Sequence, residues 1–173
     1  MDKMNSCLFL IGFMGAGKST VAAALGEALK REVLEMDVCI SRWEGMPVSE
    51  IFQTHGEAYF RQCETGLLRD CMAWEPLVVS CGGGVPMREE NVAAMKACGT
   101  VILLTARPEV ILERVKDDHS RPLLEGHKDV PYISSLMEAR RAKYEAAADF
   151  TIDTSALTVE EVCNEILRYI YEQ

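Results

Sequence analysis

Short apolar runs alternate with amphipathic stretches along the whole chain of 173 residues. The short runs predict five strands, over residues 7–11, 33–36, 77–80, 101–104 and 150–152. Apolar residues at helical spacing predict helices over about residues 18–30, 57–73, 88–97, 108–117, 132–147 and 158–171. Strands that alternate with helices indicate an α/β fold, in which helices cover both faces of a parallel sheet. Ligands of such sheets bind beyond the carboxyl ends of the strands, so we expect functional side chains directly after the strands.

One segment, from about residue 117 to residue 131, departs from this alternation. It contains Pro122, Gly126 and Pro131, together with charges of both signs and little apolar periodicity. Such a composition is typical of a surface loop, and we expect this loop to be mobile. The rest of the chain has no repeat, low-complexity stretch or linker, which indicates a single domain over residues 1–173.

The segment between the first predicted strand and the first predicted helix, residues 12–19, reads G-F-M-G-A-G-K-S and fits the pattern G-x-x-x-x-G-K-[ST]. Glycines let the backbone wrap around phosphate groups, and the N–H groups at the start of the following helix attract anions. Lys18 adds a positive charge for the outer phosphates, and the Ser19 hydroxyl can bind Mg²⁺. An ordinary glycine turn is the alternative, but all four signature residues and both flanking elements agree with a phosphate loop. The chain is therefore predicted to bind a nucleoside triphosphate.

Charge and composition narrow the classes of partner. The formal net charge is −9 and there is no basic run, so we expect no nucleic-acid partner. No apolar stretch approaches the roughly 18 residues of a membrane helix, so we expect no membrane partner. The seven cysteines are scattered and include no C-x-x-C pair, which argues against a disulfide framework or a zinc site and favours a reducing compartment. We expect a cytoplasmic protein that acts as a monomer on a small molecule.

Two carboxylates follow the second predicted strand. In an extended segment, Glu35 and Asp37 point to the same side, where they could serve a metal ion and a substrate hydroxyl group. A solvated acidic pair fits the same pattern, as does an Asp37 that caps the next helix. The residues alone leave these alternatives open.

Three glycines follow the third predicted strand, and one arginine lies on the helix before it. Gly82, Gly83 and Gly84 allow the close approach of a ligand or form a tight turn, and their place at a strand end favours the ligand. Arg61 precedes Glu64 by three residues, a helical spacing that usually makes a surface salt bridge.

Three further arginines, in the second half of the chain, bear on the predicted site. Arg140 shares a helical face with Leu136 and Tyr144, so it is expected to point inward and to need an anionic partner, whereas Arg141 is expected in solvent. Arg121 lies in the irregular segment, where an arginine either closes over a phosphate site or is simply exposed.

In their order and spacing, these segments resemble the shikimate kinases, small P-loop kinases of the nucleoside monophosphate kinase type. The resemblance covers almost the whole chain. Its pieces are G-F-M-G-A-G-K-S-T at residues 12–20, Asp37 after the second strand, F-R at 60–61, G-G-G at 82–84, R-P-L-L at 121–124 and L-x-x-x-R-x-x-x-Y at 136–144. The first piece is specific by itself, and the others become specific through their order.

This resemblance implies a three-layer P-loop kinase fold. Its five-stranded parallel sheet would have the order 2-3-1-4-5, with flanking helices, a substrate-binding helical region around residues 38–65 and a lid over about residues 117–131. The implied activity is ATP-dependent phosphorylation of the 3-hydroxyl group of shikimate, a step of aromatic amino acid biosynthesis, with ATP as co-substrate and Mg²⁺ as the metal ion.

The resemblance also implies a role for each site residue. Asp37 would bind substrate hydroxyls and act as the base, Ser19 would be the Mg²⁺ ligand, and Arg114 would lie near the adenine. The implied nucleotide-binding residues are Gly12, Gly15, Ala16, Gly17, Lys18, Ser19, Thr20, Arg114 and Arg121. The implied substrate-binding residues are Asp37, Arg61, Gly82, Gly83, Gly84 and Arg140, and the implied catalytic residues are Asp37, Lys18 and Arg121.

Residue chemistry supports one part of this assignment independently. Arg61 and Arg140 suit a small substrate with a carboxylate, because a guanidinium fork matches a carboxylate with two parallel hydrogen bonds. Asp37 can accept hydrogen bonds from neighbouring hydroxyl groups of the same substrate. Positioning and charge stabilisation are then expected to supply most of the rate.

The chain departs from the family at one position. The family usually has Asp-x-Asp after the second strand, and Glu35 stands at the first of these positions. A longer carboxylate could still reach a water bound to the metal ion. The family also lacks a conventional Walker B aspartate, and here too the third strand ends in Ser80, so Mg²⁺ is expected to keep several waters.

Three alternatives compete with this assignment. Another small-molecule P-loop kinase, for a gluconate or a nucleoside monophosphate, lacks the pair of carboxylate-binding arginines and the triple glycine. A regulatory GTP-binding switch needs N-K-x-D and D-x-x-G, and neither motif occurs in the chain. A nucleotide-binding module without catalysis is disfavoured by the presence of Asp37, Arg61 and Arg121. A measurement of turnover decides between such a module and a kinase.

Overall fold

A computed structural model describes residues 6–71, 76–116 and 129–172. Its five parallel strands form one sheet in the order β2-β3-β1-β4-β5. The strands are β1 Cys7–Ile11, β2 Val33–Glu35, β3 Val78–Ser80, β4 Gly99–Thr105 and β5 Phe150–Asp153. The sheet and its strand order agree with the sequence-based expectation.

Helices connect the strands on both sides of this sheet. Within the described residues they are α1 Lys18–Leu29, α2 Met36–Glu44, α3 Val48–His55, α4 Glu57–Cys71, α5 Glu89–Cys98, α6 Pro108–Val115, α7 Val130–Ala147 and α8 Val159–Tyr171, with a 3₁₀ turn at Val85–Met87. Helix α1 packs against α8, whereas α5 and α7 pack against β4. No helix in the described part of the chain is long and apolar enough to cross a membrane.

The central strand β1 anchors the fold and the loop that follows it. Leu8, Phe9, Leu10 and Ile11 are fully buried between β3 and β4. Burial of each such side chain contributes about 1.5–3 kcal/mol, so the loop after β1 leaves the most strongly held part of the core. The phosphate loop is thereby attached to a rigid support.

Helices α2 and α3 are absent from the set predicted by periodicity, although the family resemblance implied a helical region around residues 38–65. Each is at most nine residues long and buries only one or two side chains, which gives a weak periodic signal. Residue Met36, predicted as the last residue of a strand, instead begins α2. It is fully buried together with Ile40, four residues later, and this spacing fits a helix and not a strand.

The end of the predicted lid is also different. Helix α7 begins at Val130, with Pro131 in its first turn, and the carboxylate of Asp129 accepts a hydrogen bond from the Tyr132 backbone N–H at 2.9 Å. Residues 130–131 therefore belong to a helix, because proline is compatible with a first helical turn. The remainder of the predicted lid, residues 117–128 with Arg121, lies outside the described residues.

Candidate active site

The loop after β1 has the backbone of a phosphate-binding loop. Gly12 has φ of 141°, and a Cβ there would lie 2.2 Å from the carbonyl oxygen of Leu104 on the neighbouring strand. Gly17 has φ of 101° and is the N-cap residue of α1. Side chains are excluded from both positions, by contact at the first and by backbone conformation at the second. The loop therefore presents backbone and the start of a helix to a ligand.

The polar side chains at the start of α1 are held by their neighbours. The Lys18 ammonium donates to the carbonyl oxygens of Gly12 and Phe13, at 2.8 and 3.1 Å. The Ser19 hydroxyl donates to Glu35 Oε2 at 3.0 Å. Ser19 and Glu35, which the sequence analysis related separately to a metal ion, are thus in direct contact.

The atoms around Ser19 fit a magnesium ion. Glu35 Oε2 and the Ser80 hydroxyl lie 3.0 and 3.5 Å from Ser19 Oγ, so one carboxylate and two hydroxyl groups meet beside the phosphate loop. Mg²⁺ prefers oxygen ligands and keeps several waters beside substrate phosphates. Ser19 and Glu35 are therefore the residues that would hold the ion or its waters.

A cleft of about 850 Å³ lies beyond the carboxyl ends of the strands. Most of the site residues predicted from the sequence line it: Gly15, Ala16, Gly17, Lys18, Ser19, Thr20, Asp37, Arg61, Gly82, Gly83, Gly84, Arg114 and Arg140. Gly12, by contrast, does not line the cleft and packs against the backbone of Leu104 on β4. These residues converge on one cleft, as expected. Most of them follow strands, whereas Arg61, Arg114 and Arg140 project from helices α4, α6 and α7.

The expected geometry of Glu35 and Asp37 was wrong in detail. Glu35 is extended, with φ of −89° and ψ of 105°, but α2 begins at Met36, so Asp37 lies in the first helical turn. Glu35, and not Asp37, occupies the N-cap position, and no side-chain hydrogen bond caps the helix. Both carboxylates nevertheless line the cleft, because the strand end and the first turn of α2 face it together.

Arg61 is enclosed by carboxylates and aromatic rings. Its Nη1 donates to Glu64 Oε2 at 2.8 Å, and its Nη2 donates to Glu57 Oε1 at 3.0 Å. The guanidinium carbon lies 5.8 and 5.5 Å from the ring centres of Phe52 and Phe60. The side chain is only 14% exposed and that of Glu64 is fully buried, so the interpretation of this pair as a surface salt bridge was wrong.

Glu64 is the site residue that sequence reasoning missed as a separate group. Among the described residues its Oε1 atom is buried without a hydrogen-bond partner. Burial raises the pKa of the Glu64 carboxyl from 4.5 to about 7, although Arg61 acts in the opposite direction. Only its spacing from Arg61 could have indicated it, and that spacing does not reveal burial.

The triple glycine is where the site groups meet. A Cβ on Gly82 would lie 2.5 Å from Glu64 Oε1 and 3.0 Å from Asp37 Oδ1, so both carboxylate oxygens approach the same point. A Cβ on Gly84 would lie 2.2 Å from Arg61 Nη1. Side chains at these positions would displace the two acids and the arginine. The close approach is to protein groups of the site, which refines the expectation of a ligand contact.

Arg140 reaches the same glycines from α7. Its Nη1 donates to the Gly83 carbonyl oxygen at 3.5 Å, and the Tyr144 hydroxyl donates to the same oxygen at 2.7 Å. Arg140 is half-buried in the cleft, whereas Arg141 is exposed and paired with Glu138 at 2.7 Å. The predicted inward and outward orientations of the two arginines are confirmed.

Arg114 is tied to the backbone at the other end of the cleft. It donates to the Gly15 carbonyl at 3.0 Å, and to the hydroxyl and carbonyl oxygens of Thr154 at 3.1 and 3.0 Å. Thr154 follows β5 and has no motif around it that the sequence could reveal. Leu157 and Val159 complete this end of the cleft.

A parallel sheet of this order, with a G-x-x-x-x-G-K-S loop beside a carboxylate and two guanidinium groups, defines a small-molecule kinase of the P-loop class. The family model "Shikimate kinase" matches residues 14–171. A shikimate kinase of Dehalococcoides mccartyi is 40% identical over 164 residues, covering 95% of this chain and 93% of that protein. One of Neisseria gonorrhoeae is 38% identical over 155 residues, covering 90% and 91%. The chain belongs to the shikimate kinase family.

Solved structures agree with this membership. The shikimate kinase from Acinetobacter baumannii in complex with shikimate superposes with a TM-score of 0.92 at 33% identity, covering 98% of this chain and 95% of that one. A gluconokinase from Sinorhizobium meliloti has a TM-score of 0.63 at 18% identity, which shows a shared fold alone.

The raised pKa of Glu64 predicts a pH dependence of stability. The folded state keeps a proton on Glu64 that the unfolded chain has already lost, so the stabilisation is complete below pH 4.5 and disappears as the pH rises through about 7. Glu64→Gln stays neutral. Relative to the wild type, its unfolding free energy is therefore expected to rise between pH 5 and 8, by up to about 3 kcal/mol.

Urea unfolding across this pH range measures the effect. Glu57→Gln is the matched control, since its carboxylate contacts the same arginine but is 58% exposed. Parallel pH curves for the wild type and Glu64→Gln would show that Glu64 is ionised in the folded protein throughout.

Proposed function

We propose that this protein transfers the γ-phosphoryl group of ATP to the 3-hydroxyl group of shikimate, giving shikimate 3-phosphate and ADP. The observation that carries the proposal is the meeting of Asp37, Arg61 and Arg140 around Gly82–Gly84, beside a phosphate loop, in a member of this family. The relative with a TM-score of 0.92 is a complex with shikimate, and its fold covers 98% of this chain.

The substrate carboxylate binds between Arg61 and Arg140. Both guanidinium groups border Gly83 and Gly84, and their planar forks suit a carboxylate. Glu57 and Glu64 already occupy part of Arg61, so the arginine is held in place before the substrate arrives. The exposed Glu57 is the partner that a substrate carboxylate can displace without burying an unpaired charge.

Asp37 receives the proton of the reacting hydroxyl group. The hydroxyl oxygen forms a bond to the γ-phosphorus while the bond from that phosphorus to the β–γ bridging oxygen breaks, and ADP leaves. Asp37 lines the cleft, and its Oδ1 and Glu64 Oε1 approach the same point at Gly82. Most of the acceleration comes from alignment of the two reactants and from fixed charges.

The phosphate loop and Lys18 bind the β- and γ-phosphates. Lys18 now donates to two loop carbonyls and turns to the phosphates when ATP is bound. A bound Mg²⁺ ion neutralises charge that develops on the phosphate oxygens. Arg121, in the segment that the structure does not describe, keeps its predicted role as the lid arginine. The expected monomeric state, cytoplasmic location and lack of nucleic-acid binding also stay predictions.

A coupled assay of ADP release tests the function directly. We expect turnover with ATP and shikimate that requires Mg²⁺, and none with gluconate or a nucleoside monophosphate in place of shikimate. Gluconate is the sharpest control, because it also has a carboxylate and several hydroxyl groups. Absence of turnover with shikimate, together with turnover on one of the other acceptors, would overturn the proposal.

Glu35 is expected to set the requirement for Mg²⁺. Glu35→Gln removes the negative charge beside Ser19 but keeps a similar shape, so we expect the Mg²⁺ concentration for half-maximal rate to rise by about 10-fold or more. Glu35→Asp, with the residue usual in the family, should stay closer to the wild type. A magnesium titration at fixed ATP measures both, and equal values for Glu35→Gln and the wild type would exclude Glu35 from the metal site.

A further inference from the structure

One threonine that no motif marks contacts the phosphate loop. The hydroxyl group of Thr154, which directly follows β5, lies 3.0 Å from the carbonyl oxygen of Ala16 and 3.0 Å from that of Thr105. The Thr154 backbone N–H donates to the same Thr105 oxygen at 2.8 Å. Thr154 is 4% exposed and borders the cleft next to the loop.

Arg114 completes this attachment. Its Nη1 donates both to the Thr154 hydroxyl oxygen and to the Gly15 carbonyl, and its Nη2 donates to the Thr154 carbonyl. Arg114 donates to the hydroxyl oxygen, and the Thr105 carbonyl already accepts the Thr154 backbone N–H, so the single hydroxyl proton is assigned to the Ala16 carbonyl. Two successive carbonyls of the loop are therefore held at the end of the sheet, that of Gly15 by Arg114 and that of Ala16 by Thr154.

The planarity of the peptide bond turns this attachment into an orientation of the phosphate site. In a trans peptide the C=O and the following N–H point in opposite directions. A carbonyl of Ala16 held toward Thr154 therefore fixes the direction of the N–H of Gly17, a residue that lines the cleft. Gly17 is the N-cap of α1, where N–H groups bind phosphate.

We propose that Thr154 is a positioning residue for ATP: its hydroxyl group fixes the Ala16–Gly17 peptide so that the Gly17 N–H is aimed at the nucleotide phosphates before the nucleotide binds. This inference rests on the proposed function, because it requires a nucleotide in the loop. A fixed donor needs no reorganisation when the phosphates arrive, so loss of the hydroxyl group weakens phosphate binding through the Ala16–Gly17 peptide.

The segment after β5, up to the first residue of α8, also forms the apolar end of the cleft. Leu157 and Val159 follow Thr154 by three and five residues and line the cleft. A substitution at Thr154 could therefore weaken nucleotide binding in two ways, by releasing the phosphate loop or by moving the wall at the apolar end. The two are separated by a probe that has phosphates and no base.

Calorimetric titration with ADP and with inorganic tripolyphosphate, at constant Mg²⁺, provides this test. Thr154→Val replaces the hydroxyl group by a methyl group of similar shape. It is expected to lower the affinity for ADP and for tripolyphosphate by about tenfold and to leave the affinity for shikimate unchanged. Thr154→Ser, which keeps the hydroxyl group, should bind ADP and tripolyphosphate with nearly the affinity of the wild type. Thr100→Val is the matched control, since Thr100 is equally buried at the far end of β4.

Each other outcome has a definite meaning. Equal affinities of Thr154→Val and the wild type would overturn the inference, and so would a loss for ADP without a loss for tripolyphosphate. If Thr154→Val does not fold, Arg114→Lys keeps the charge but cannot bridge Gly15 and Thr154, and unchanged tripolyphosphate binding by that variant would equally overturn it. A wild-type protein that binds neither ligand would contradict the proposed function itself.

Discussion

Replacement of Asp37 by asparagine is expected to lower kcat by about 10²–10⁴-fold, with a much smaller change in the KM for shikimate. Asparagine has nearly the same shape and can still contact substrate hydroxyl groups, but it cannot take up the proton of the attacking oxygen. Asp37 lines the cleft, with its Oδ1 directed toward Gly82.

Steady-state kinetics with both substrates varied measures this effect. Asp70→Asn is a suitable control, because Asp70 is an exposed aspartate on α4 outside the cleft, and its variant should behave as the wild type. A fully active Asp37→Asn enzyme would remove Asp37 as the base and would leave alignment and charge as the whole mechanism.

Arg140→Ala is expected to act on binding. Loss of a charge-assisted pair with the substrate carboxylate should raise the KM for shikimate by about 10- to 100-fold, while the KM for ATP stays nearly constant. The substitution leaves Tyr144 bonded to the Gly83 carbonyl, so the triple glycine keeps its main support. Arg140→Lys keeps the charge but lacks the planar fork, so its KM for shikimate should lie between those of the wild type and Arg140→Ala.

The neighbouring residue offers the matched control for this experiment. Arg141→Ala removes the same side chain one position further along α7, where the arginine is 61% exposed and paired with Glu138. It should leave both KM values unchanged. An equal effect of the two substitutions would indicate damage to α7 instead of loss of a substrate contact.

Those parts of the protein that depend on local sequence could be predicted well. The strand, loop and helix around Gly12–Ser19 carry their own signature, because glycines, a lysine and a serine must stand at fixed positions to bind phosphate. The alternation of strands and helices gave the parallel sheet, and the inward face of α7 could be predicted from the spacing of Leu136, Arg140 and Tyr144.

The parts that depend on packing between distant segments could not be predicted from the sequence. The pair of Arg61 and Glu64 has the spacing of an ordinary surface salt bridge, and its burial follows only from the packing of α4 near the glycines after β3. Thr154 contacts Ala16 across 138 residues of sequence, and nothing near Thr154 indicates this partner. Helices α2 and α3 are short and gain their stability from tertiary contacts, as is common for short helices.

A crystal structure of the complex with shikimate and a non-hydrolysable ATP analogue shows how the substrate is held. We expect the shikimate carboxylate between the guanidinium groups of Arg61 and Arg140, with the 3-hydroxyl oxygen near Asp37 and in line with the γ-phosphorus. A carboxylate bound away from both arginines, with these side chains turned to solvent, would contradict this binding mode.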